Sequence, residues 1–142
     1  MIWKTSPNLE VINQVGQNAL PAHLGMEFTA IGDDWLEATM PVDHRTVQPM
    51  RLLHGGASVA FAETLGSVAS MLMLEDLATQ SVVGVEINAN HLNSVKEGDQ
   101  VRGVVKPLKL GRTLHVWEIH IFRGDGQLAC VSRITIAVVT RR

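Results

Sequence analysis

The feature that most constrains this chain is an almost wholly apolar segment of helical length that follows the triplet His54-Gly55-Gly56. Apolar residues recur along it at steps of four, three and four, which predicts a long helix over 55–75 with one face in a core. Glu63 is the one charge between Ser58 and Leu74. A lone carboxylate in such a segment is costly to bury unless it is paired or hydrogen-bonded. Glu63 is therefore the first candidate for a functional residue. The apolar stripe consists of Phe61, Leu65, Val68 and Leu72.

Strand-like patterns dominate the rest of the chain on both sides of this helix. A short helix is predicted after Ser6-Pro7, because serine caps helices well and proline suits the first helical position. The four strands after the long helix are rich in Val and Ile and are joined by short turns, so we expect an antiparallel meander in chain order. Together these elements predict one α+β domain over 1–142, in which a curved antiparallel sheet wraps one long helix. The six predicted strands cover 26–32, 35–42, 81–93, 99–110, 112–123 and 127–140.

Charge and cysteine usage exclude several classes of function. The formal net charge is −2, and the only basic run is the terminal pair Arg141-Arg142. The sequence therefore has no basic patch of the kind that binds nucleic-acid phosphates. Cys130 is the single cysteine, which rules out an internal disulfide and a thiolate zinc site and fits a reducing, cytoplasmic compartment. The apolar segment approaches membrane-spanning length, but Glu63 near its middle favours a buried helix of a soluble protein. We expect no membrane partner and no metal.

The helix motif resembles that of the hotdog-fold acyl-CoA thioesterases, the PaaI-like thioesterase superfamily. Within that family the chain is most similar to a subgroup acting on aromatic acyl thioesters in menaquinone and enterobactin biosynthesis. The resemblance covers nearly the whole chain and implies a cytoplasmic acyl-CoA hydrolase that is a homodimer paired into a tetramer and needs no cofactor. The matching stretches include His54 to Ser58, Ala62 to Ser67, His23-Leu24-Gly25, Met40 to Asp43, Gln48-Pro49, Val83-Gly84, Asn88-Ala89 and Leu110-Gly111-Arg112.

The resemblance also implies roles for individual residues. Glu63 matches the catalytic carboxylate, and Gly55 matches the residue whose backbone N–H receives the thioester oxygen. His54 and Gln48 match polar residues at the same carbonyl, and Ser67 matches a hydroxyl that assists near the carboxylate. The stretches that match acyl-CoA contacts contain Gly84, His91, Leu92, Asn93, Ser94, Lys109, Leu110, Gly111, Arg112, Thr113 and Leu114.

Two departures from the family pattern affect the expected substrate contacts. Where relatives usually have Phe-Gly before the Leu-Leu-His-Gly-Gly stretch, this chain has Met50-Arg51. An arginine beside the acyl pocket either changes acyl preference or points outward. Where relatives commonly have His-x-Arg-Pro, this chain has 91–94 with the sequence His-Leu-Asn-Ser, which removes a cation available to a CoA phosphate.

The same residues suit thioester hydrolysis on chemical grounds. A helix start supplies free N–H donors and the positive end of a dipole, so Gly55 and Gly56 are suitable donors to a developing oxyanion. A carboxylate can act as nucleophile, through an anhydride, or as general base on water, and the sequence leaves both routes open. Glu63 lies eight residues after Gly55, about 12 Å along a helix. One carbonyl cannot reach both groups of one helix, so we predict a site shared across a two-fold dimer.

Several alternatives remain beside this hypothesis. Ser58 in Gly56 to Ala60 is nearly a G-x-S-x-G motif, but that motif belongs on a strand-to-helix turn of a larger hydrolase rather than inside a helix. The resemblance implies three possible substrate classes. The first is an aromatic acyl-CoA, with 1,4-dihydroxy-2-naphthoyl-CoA as the first candidate, the second is an aryl carrier-protein thioester, and the third is a broad range of acyl-CoAs. A non-catalytic acyl-CoA-binding hotdog module is the alternative of another class, and a hydratase lacks a supporting His/Asp pattern.

Overall fold

One long helix packed on a six-stranded sheet is the central feature of the computed structural model, which describes residues 1–141. All six predicted strands are present, and the long helix ends at Leu72 rather than at 75. The first short helix begins at Leu9 instead of directly after Ser6-Pro7, because Asn8 is the N-cap and its side chain accepts from a backbone N–H. No helix of the described residues combines the length and the apolarity needed to cross a membrane. The elements are α1 Leu9–Val15, α2 Leu20–His23, β1 Glu27–Ile31, β2 Leu36–Pro41, α3 Gly55–Leu72, β3 Gln80–His91, β4 Gln100–Leu110, β5 Leu114–Phe122 and β6 Leu128–Thr140.

The sheet is antiparallel throughout, with strand order β1-β2-β4-β5-β6-β3. The predicted meander is correct for β4, β5 and β6 but wrong for β3. This strand pairs with β6, from Gln80 opposite Thr140 to His91 opposite Cys130, and not with β4, which follows it in the chain. Instead β2 pairs with β4, and α3 carries the chain from one side of the sheet to the other. One helix against such a sheet is the α+β hotdog arrangement, as predicted.

The helix lies unusually close to the sheet because glycines occur where the two meet. Phe61 and Leu65 of α3 are fully buried. A Cβ atom on Gly103 of β4 would lie 2.8 Å from the Phe61 ring, and a Cβ on Gly66 would lie 2.5 Å from Cγ2 of Ile134. Real Cβ atoms do not approach this closely, so any larger residue there would displace the helix. Phe61, Leu65 and Leu72 of the predicted apolar stripe therefore face the core, whereas Val68 is half-buried and lines a cavity together with Glu63.

A buried polar network anchors the second half of α3. Trp117 Nε1 donates to Ser70 Oγ at 2.7 Å, and His115 Nδ1 lies 3.1 Å from the same oxygen. Ser70 and His115 are 0% and 4% exposed, and burial lowers the pKa of the His115 imidazole. Trp3 stacks on the far side of Trp117, with ring centroids 6.2 Å apart. His115 is thus a structural residue.

Candidate active site

The predicted catalytic residues form two groups at different places along α3. We call Gln48, His54, Gly55 and the segment 91–94 the donor half-site, and Glu63, Ser67 and Gly84 the carboxylate half-site. An open cavity of about 350 Å³ at the donor half-site includes Gly55 but not Glu63. A second cavity, of about 250 Å³, includes Glu63 and Ser67 but not Gly55. Within one chain, the two groups therefore face different spaces.

The start of α3 offers one free backbone donor at the donor half-site. His54 is the N-cap, and its Nδ1 accepts from the Gly56 N–H at 2.7 Å. The expectation that Gly56 also donates to a ligand is therefore wrong, because its N–H is already used. The Gly55 N–H has no hydrogen-bond partner within residues 1–141. Because Nδ1 accepts, the neutral His54 ring carries its proton on Nε2, which is a second available donor.

Gln48 is held by a tight turn beside the helix start. Its backbone N–H donates to Leu52 O at 2.8 Å, and its backbone carbonyl accepts from the Arg51 N–H at 2.8 Å. Its side-chain Oε1 accepts from the Met50 N–H, which leaves the Nε2 donors free. Arg51 has a φ of +64°, a left-handed conformation that glycine adopts more easily, and its side chain binds Glu97 at 2.7 Å. Arg51 thus points to Glu97 and lines neither cavity.

The segment 91–94 lines the donor cavity along one side. The His91 ring lies against the helix start, because its Nε2 would be 3.0 Å from a Cβ atom on Gly55. The Asn93 amide donates at 2.8 Å to a backbone carbonyl of β6, and the Ser94 carbonyl accepts from Arg123 Nη1 at 3.3 Å. These contacts fix the segment in place. Its predicted contact with acyl-CoA stays a prediction.

The Glu63 carboxylate is exposed and takes part in no hydrogen bond or ion pair with the part of the chain that the structure describes. It lies against Gly84, where a Cβ atom would be 2.9 Å from Glu63 Oε1. The register of β3 shifts just after Gly84, at a bulge. Gly84 was predicted to contact acyl-CoA, and the structure places it beside the carboxylate.

An apolar cavity lies beside Glu63, between α3 and the N-terminal part of the chain. Asn13 of α1 fixes its wall, because its side chain accepts from the Phe28 N–H at 2.8 Å and donates to Phe28 O at 3.0 Å. Ser67 lies one turn after Glu63 on the same face, as its spacing predicts. No sequence pattern indicated that α1 and β1 contribute to the site. The lining includes Ile12, Asn13, Met26, Phe28, Glu63, Thr64, Ser67 and Val68.

The remaining predicted contact residues, Lys109 to Leu114, cover the end of β4, the turn after it and the start of β5. Gly84 of β3 pairs with Ile136 of β6, and Ile136 pairs with His115 of β5. His115 pairs with Leu110 at the end of β4, so Leu110 lies at the same end of the sheet as Gly84. His91 lies seven residues further along β3, about 23 Å away at about 3.3 Å per residue. The predicted acyl-CoA contacts are therefore divided between opposite ends of the sheet, in the same way as the catalytic residues.

Ser58 lies in the interior of α3 and not on a strand-to-helix turn, which rules out the nucleophile arrangement of a G-x-S-x-G hydrolase. It is 3% exposed and lines the donor cavity. No hydrogen bond of its hydroxyl is formed with residues 1–141. From the sequence, Ser58 was considered only as a rival nucleophile, and its position in the wall of the donor cavity was not predicted.

Comparison with known proteins agrees with this geometry. A model of the Thioesterase superfamily matches residues 50–130, which contain both half-sites except Gln48. The 1,4-dihydroxy-2-naphthoyl-CoA hydrolase of Escherichia coli is 55% identical over 98% of this chain and 100% of its own. The proofreading thioesterase EntH of Cronobacter turicensis is 54% identical over 98% of this chain and 99% of its own.

Solved structures give the same result. A crystal structure of a thioesterase from Haemophilus influenzae has a TM-score of 0.93 and 51% identity, and covers 99% of this chain and 96% of its own. A variant thioesterase from Pseudomonas aeruginosa has a TM-score of 0.95 and 45% identity, and covers 99% of this chain and 100% of its own. The helix motif, the fold and these full-length similarities show that the chain belongs to the thioesterase superfamily.

Proposed function

We propose that this thioesterase hydrolyses aromatic acyl-CoA thioesters to the free acid and CoA, with 1,4-dihydroxy-2-naphthoyl-CoA as the first candidate. The observation that carries the proposal is the Glu63 carboxylate, which has no hydrogen-bond or ion-pair partner among residues 1–141 and lies beside an apolar cavity walled by Phe28 and Val68. Apolar cavities with a few polar groups suit planar organic substrates. The activity of the Escherichia coli relative, 55% identical over nearly the whole chain, supports the same substrate class.

The donor half-site binds the thioester oxygen in this proposal. The Gly55 N–H, the Gln48 Nε2 and the His54 Nε2 are the donors that no other contact occupies. Hydrogen-bond donors that are fixed before the reaction stabilise negative charge as it develops on the carbonyl oxygen. The positive end of the α3 dipole adds to this effect.

Glu63 delivers the nucleophile at the carbonyl carbon. As general base it takes a proton from water while the water oxygen bonds to the carbonyl carbon. As nucleophile it bonds to that carbon itself, and water then hydrolyses the anhydride. In either route the carbon–sulfur bond breaks, CoA leaves as a thiolate with the electrons of that bond, and it takes up the proton that water has given to Glu63 or to solvent, while the acyl group is released as a carboxylic acid. Ser67 lies one turn away to assist at the carboxylate.

The two half-sites meet across a homodimer formed by β3. This strand is an edge of the sheet, is 12 residues long, and exposes Val83 and Val85 by 48% and 60%. An exposed edge strand pairs readily with another chain. Antiparallel pairing of two copies about the midpoint between Gly84 and His91 brings the Gly84 end of one subunit opposite the His91 end of the other. That arrangement places one carboxylate half-site beside one donor half-site, twice per dimer.

Mixed dimers test the shared site. One subunit carries Glu63→Gln and the other carries Gln48→Ala with His54→Ala, with different affinity tags to isolate the mixed species. Each homodimer is expected to be nearly inactive, whereas the mixed dimer regains one intact site and about half of wild-type turnover per dimer. A mixed dimer as inactive as its parents would contradict the shared site.

A substrate panel tests the acyl preference, with kcat/KM measured by thiol release for aryl, short alkyl and long alkyl CoA thioesters. We expect the highest value for aryl groups. The second candidate is proofreading of aryl carrier-protein thioesters, favoured by the 54% identity to a proofreading thioesterase. A carrier-protein thioester hydrolysed faster than the matching CoA thioester would support that candidate. Equal values across the panel would indicate a broad acyl-CoA hydrolase.

The remaining parts of the proposal are a dimer of dimers, a cytoplasmic location and turnover without a cofactor. The single cysteine, which is buried, supports the reducing compartment. Among residues 1–141, no three His, Cys, Asp or Glu side chains are grouped to hold a metal ion. Scattering-derived mass in solution and turnover after treatment with a chelator test the assembly and the metal requirement.

A further inference from the structure

Helix α3 contains two buried serines with opposite hydrogen-bonding states. Ser70 is 0% exposed, and its Oγ contacts both Trp117 and His115. Ser58 is 3% exposed, and its Oγ has no partner in the described chain. Among residues 1–141, no fully buried side-chain nitrogen or oxygen lacks a hydrogen-bond partner, so the Ser58 oxygen is not sealed in the core but open to the adjoining cavity. A hydroxyl that opens onto a cavity and forms no hydrogen bond within the described chain is available to a ligand in that cavity.

The position of Ser58 relates it to the donor half-site. It lies three residues after Gly55, and both residues line the same cavity, together with Gln48 and His91. Side chains three apart on a helix are about 5 to 6 Å from each other. Because Cβ bonds tilt toward the helix N-terminus, the Ser58 side chain leans toward the Gly55 end. Its hydroxyl therefore lies about one helical turn from the free Gly55 N–H.

We propose that the Ser58 hydroxyl binds the amide nearest to sulfur in the thiol arm of the substrate. This inference rests on the proposed function, in which the Gly55 N–H binds the thioester oxygen and the acyl group occupies the apolar cavity beside Glu63. The thiol arm then takes the donor cavity. In CoA and in carrier-protein thioesters, two methylene groups separate the sulfur from that amide, so the amide lies about as far from the carbonyl as Ser58 lies from Gly55.

The surroundings of Ser58 suit this contact. A hydroxyl both donates and accepts, which matches an amide with an N–H and a carbonyl oxygen. Much of the cavity wall is aliphatic, so a hydrogen bond made there is exposed to less competition from water. The apolar lining consists of Leu52, Leu53, Leu92, Val95 and Ala129.

Two benzoyl thioesters test the contact, since one carries the amide and the other lacks it. The substrates are the thiobenzoates of N-acetylcysteamine and of propanethiol. For Ser58→Ala, we expect kcat/KM to fall about tenfold with the N-acetylcysteamine ester, the value of one hydrogen bond, and to stay unchanged with the propyl ester. An equal loss with both esters, or no loss with either, overturns the inference.

Ser70→Ala is the matched control, because it removes the other buried hydroxyl of the same helix. It should lower the melting temperature and leave the ratio of kcat/KM between the two esters unchanged.

Ser58→Ala should not lower the melting temperature, since no protein hydrogen bond is lost. If that variant unfolds, Ser58→Cys, close in shape and a weak donor, provides the same comparison of esters. If the wild-type enzyme hydrolyses neither ester, the proposed function is overturned. If it hydrolyses both, and Ser58→Ala lowers kcat/KM equally for the two esters, only this inference is overturned.

Discussion

The donor half-site and the carboxylate half-site lie on one helix but are built in opposite ways. At the donor half-site, the two side chains that offer hydrogen bonds are fixed by neighbours close in the chain: His54 by the Gly56 N–H, and Gln48 by the Met50 N–H. At the carboxylate half-site, Glu63 has no hydrogen-bond partner among residues 1–141, and its position depends on the space left by Gly84, 21 residues away in the chain. The side-chain donors of one half are held by local bonds, and the carboxylate of the other half is positioned by long-range packing.

This difference fits the two tasks that thioester hydrolysis requires. Donors to a developing oxyanion are most effective when they are fixed before the charge appears. A carboxylate that bonds to carbon or takes a proton must keep its lone pairs free and must approach the carbonyl from a particular direction. Substitutions in each half therefore test the two tasks separately.

Glu63→Gln should have the largest effect, because it removes both the base and the nucleophile while keeping the shape of the side chain. We expect kcat on an aryl-CoA to fall by about 10³-fold or more, with an unchanged melting temperature. Glu75→Gln, which alters an exposed carboxylate just beyond α3, is the matched control. Turnover within tenfold of wild type would contradict the role of Glu63.

Gln48→Ala tests the donor half-site and should be the next largest effect. Removing one oxyanion donor costs about 10²-fold in kcat, because the Gly55 N–H and His54 remain. Single-turnover measurements with benzoyl-CoA separate this loss of chemistry from a loss of binding. Gln100→Ala changes an exposed glutamine at the start of β4 and should behave as wild type. A loss confined to KM would show that Gln48 only binds substrate.

Gly84→Ala tests the packing that positions the carboxylate. The new methyl group would lie 2.9 Å from Glu63 Oε1, so the side chain must move while the backbone stays in place. We expect kcat to fall about tenfold with KM nearly unchanged, since a small misplacement of a reacting group lowers rate more than affinity. Unchanged kcat in a folded Gly84→Ala dimer would mean that the carboxylate tolerates displacement, and the contrast between the half-sites would then be weaker.

Arg51→Gly should have the smallest effect and acts on the turn that holds Gln48. Glycine relieves the left-handed backbone at φ +64° but removes the exposed pair with Glu97. We expect the free energy of unfolding to rise by about 1 kcal/mol or less, measured by urea denaturation, with kcat/KM unchanged across the acyl panel. A changed acyl preference would show that Arg51 acts on substrate after all.

Much of the donor half-site was predictable from the sequence, because its signals are local. The His-Gly-Gly triplet before an apolar stripe indicates a helix start, and that start indicates free N–H donors. The prediction that Gly56 donates to a ligand was wrong, because the sequence does not show that the His54 ring accepts from the Gly56 N–H. The resemblance to thioesterases supplied the role of Glu63 that composition alone only suggested.

The carboxylate half-site was harder to predict because it depends on contacts between distant segments. Alternation of apolar residues identifies β3 as a strand but does not say that β6 is its neighbour. The contact between Gly84 and Glu63 follows from that pairing, and so does the role of β3 as an edge. The wall contributed by Phe28 and Asn13 likewise depends on how the first 30 residues fold back on α3.

The exposed edge of β3 has a consequence for how the enzyme responds to dilution. A dimer that shares its sites loses all of them when it dissociates, so activity per mole of chain falls once the protein concentration drops below the dissociation constant. Reciprocally, substrate that spans both subunits binds the assembled form and draws the equilibrium toward it. At low protein concentration, the turnover rate of the proposed dimer is therefore proportional to the square of the monomer concentration, so the amount of protein in the cell regulates the rate.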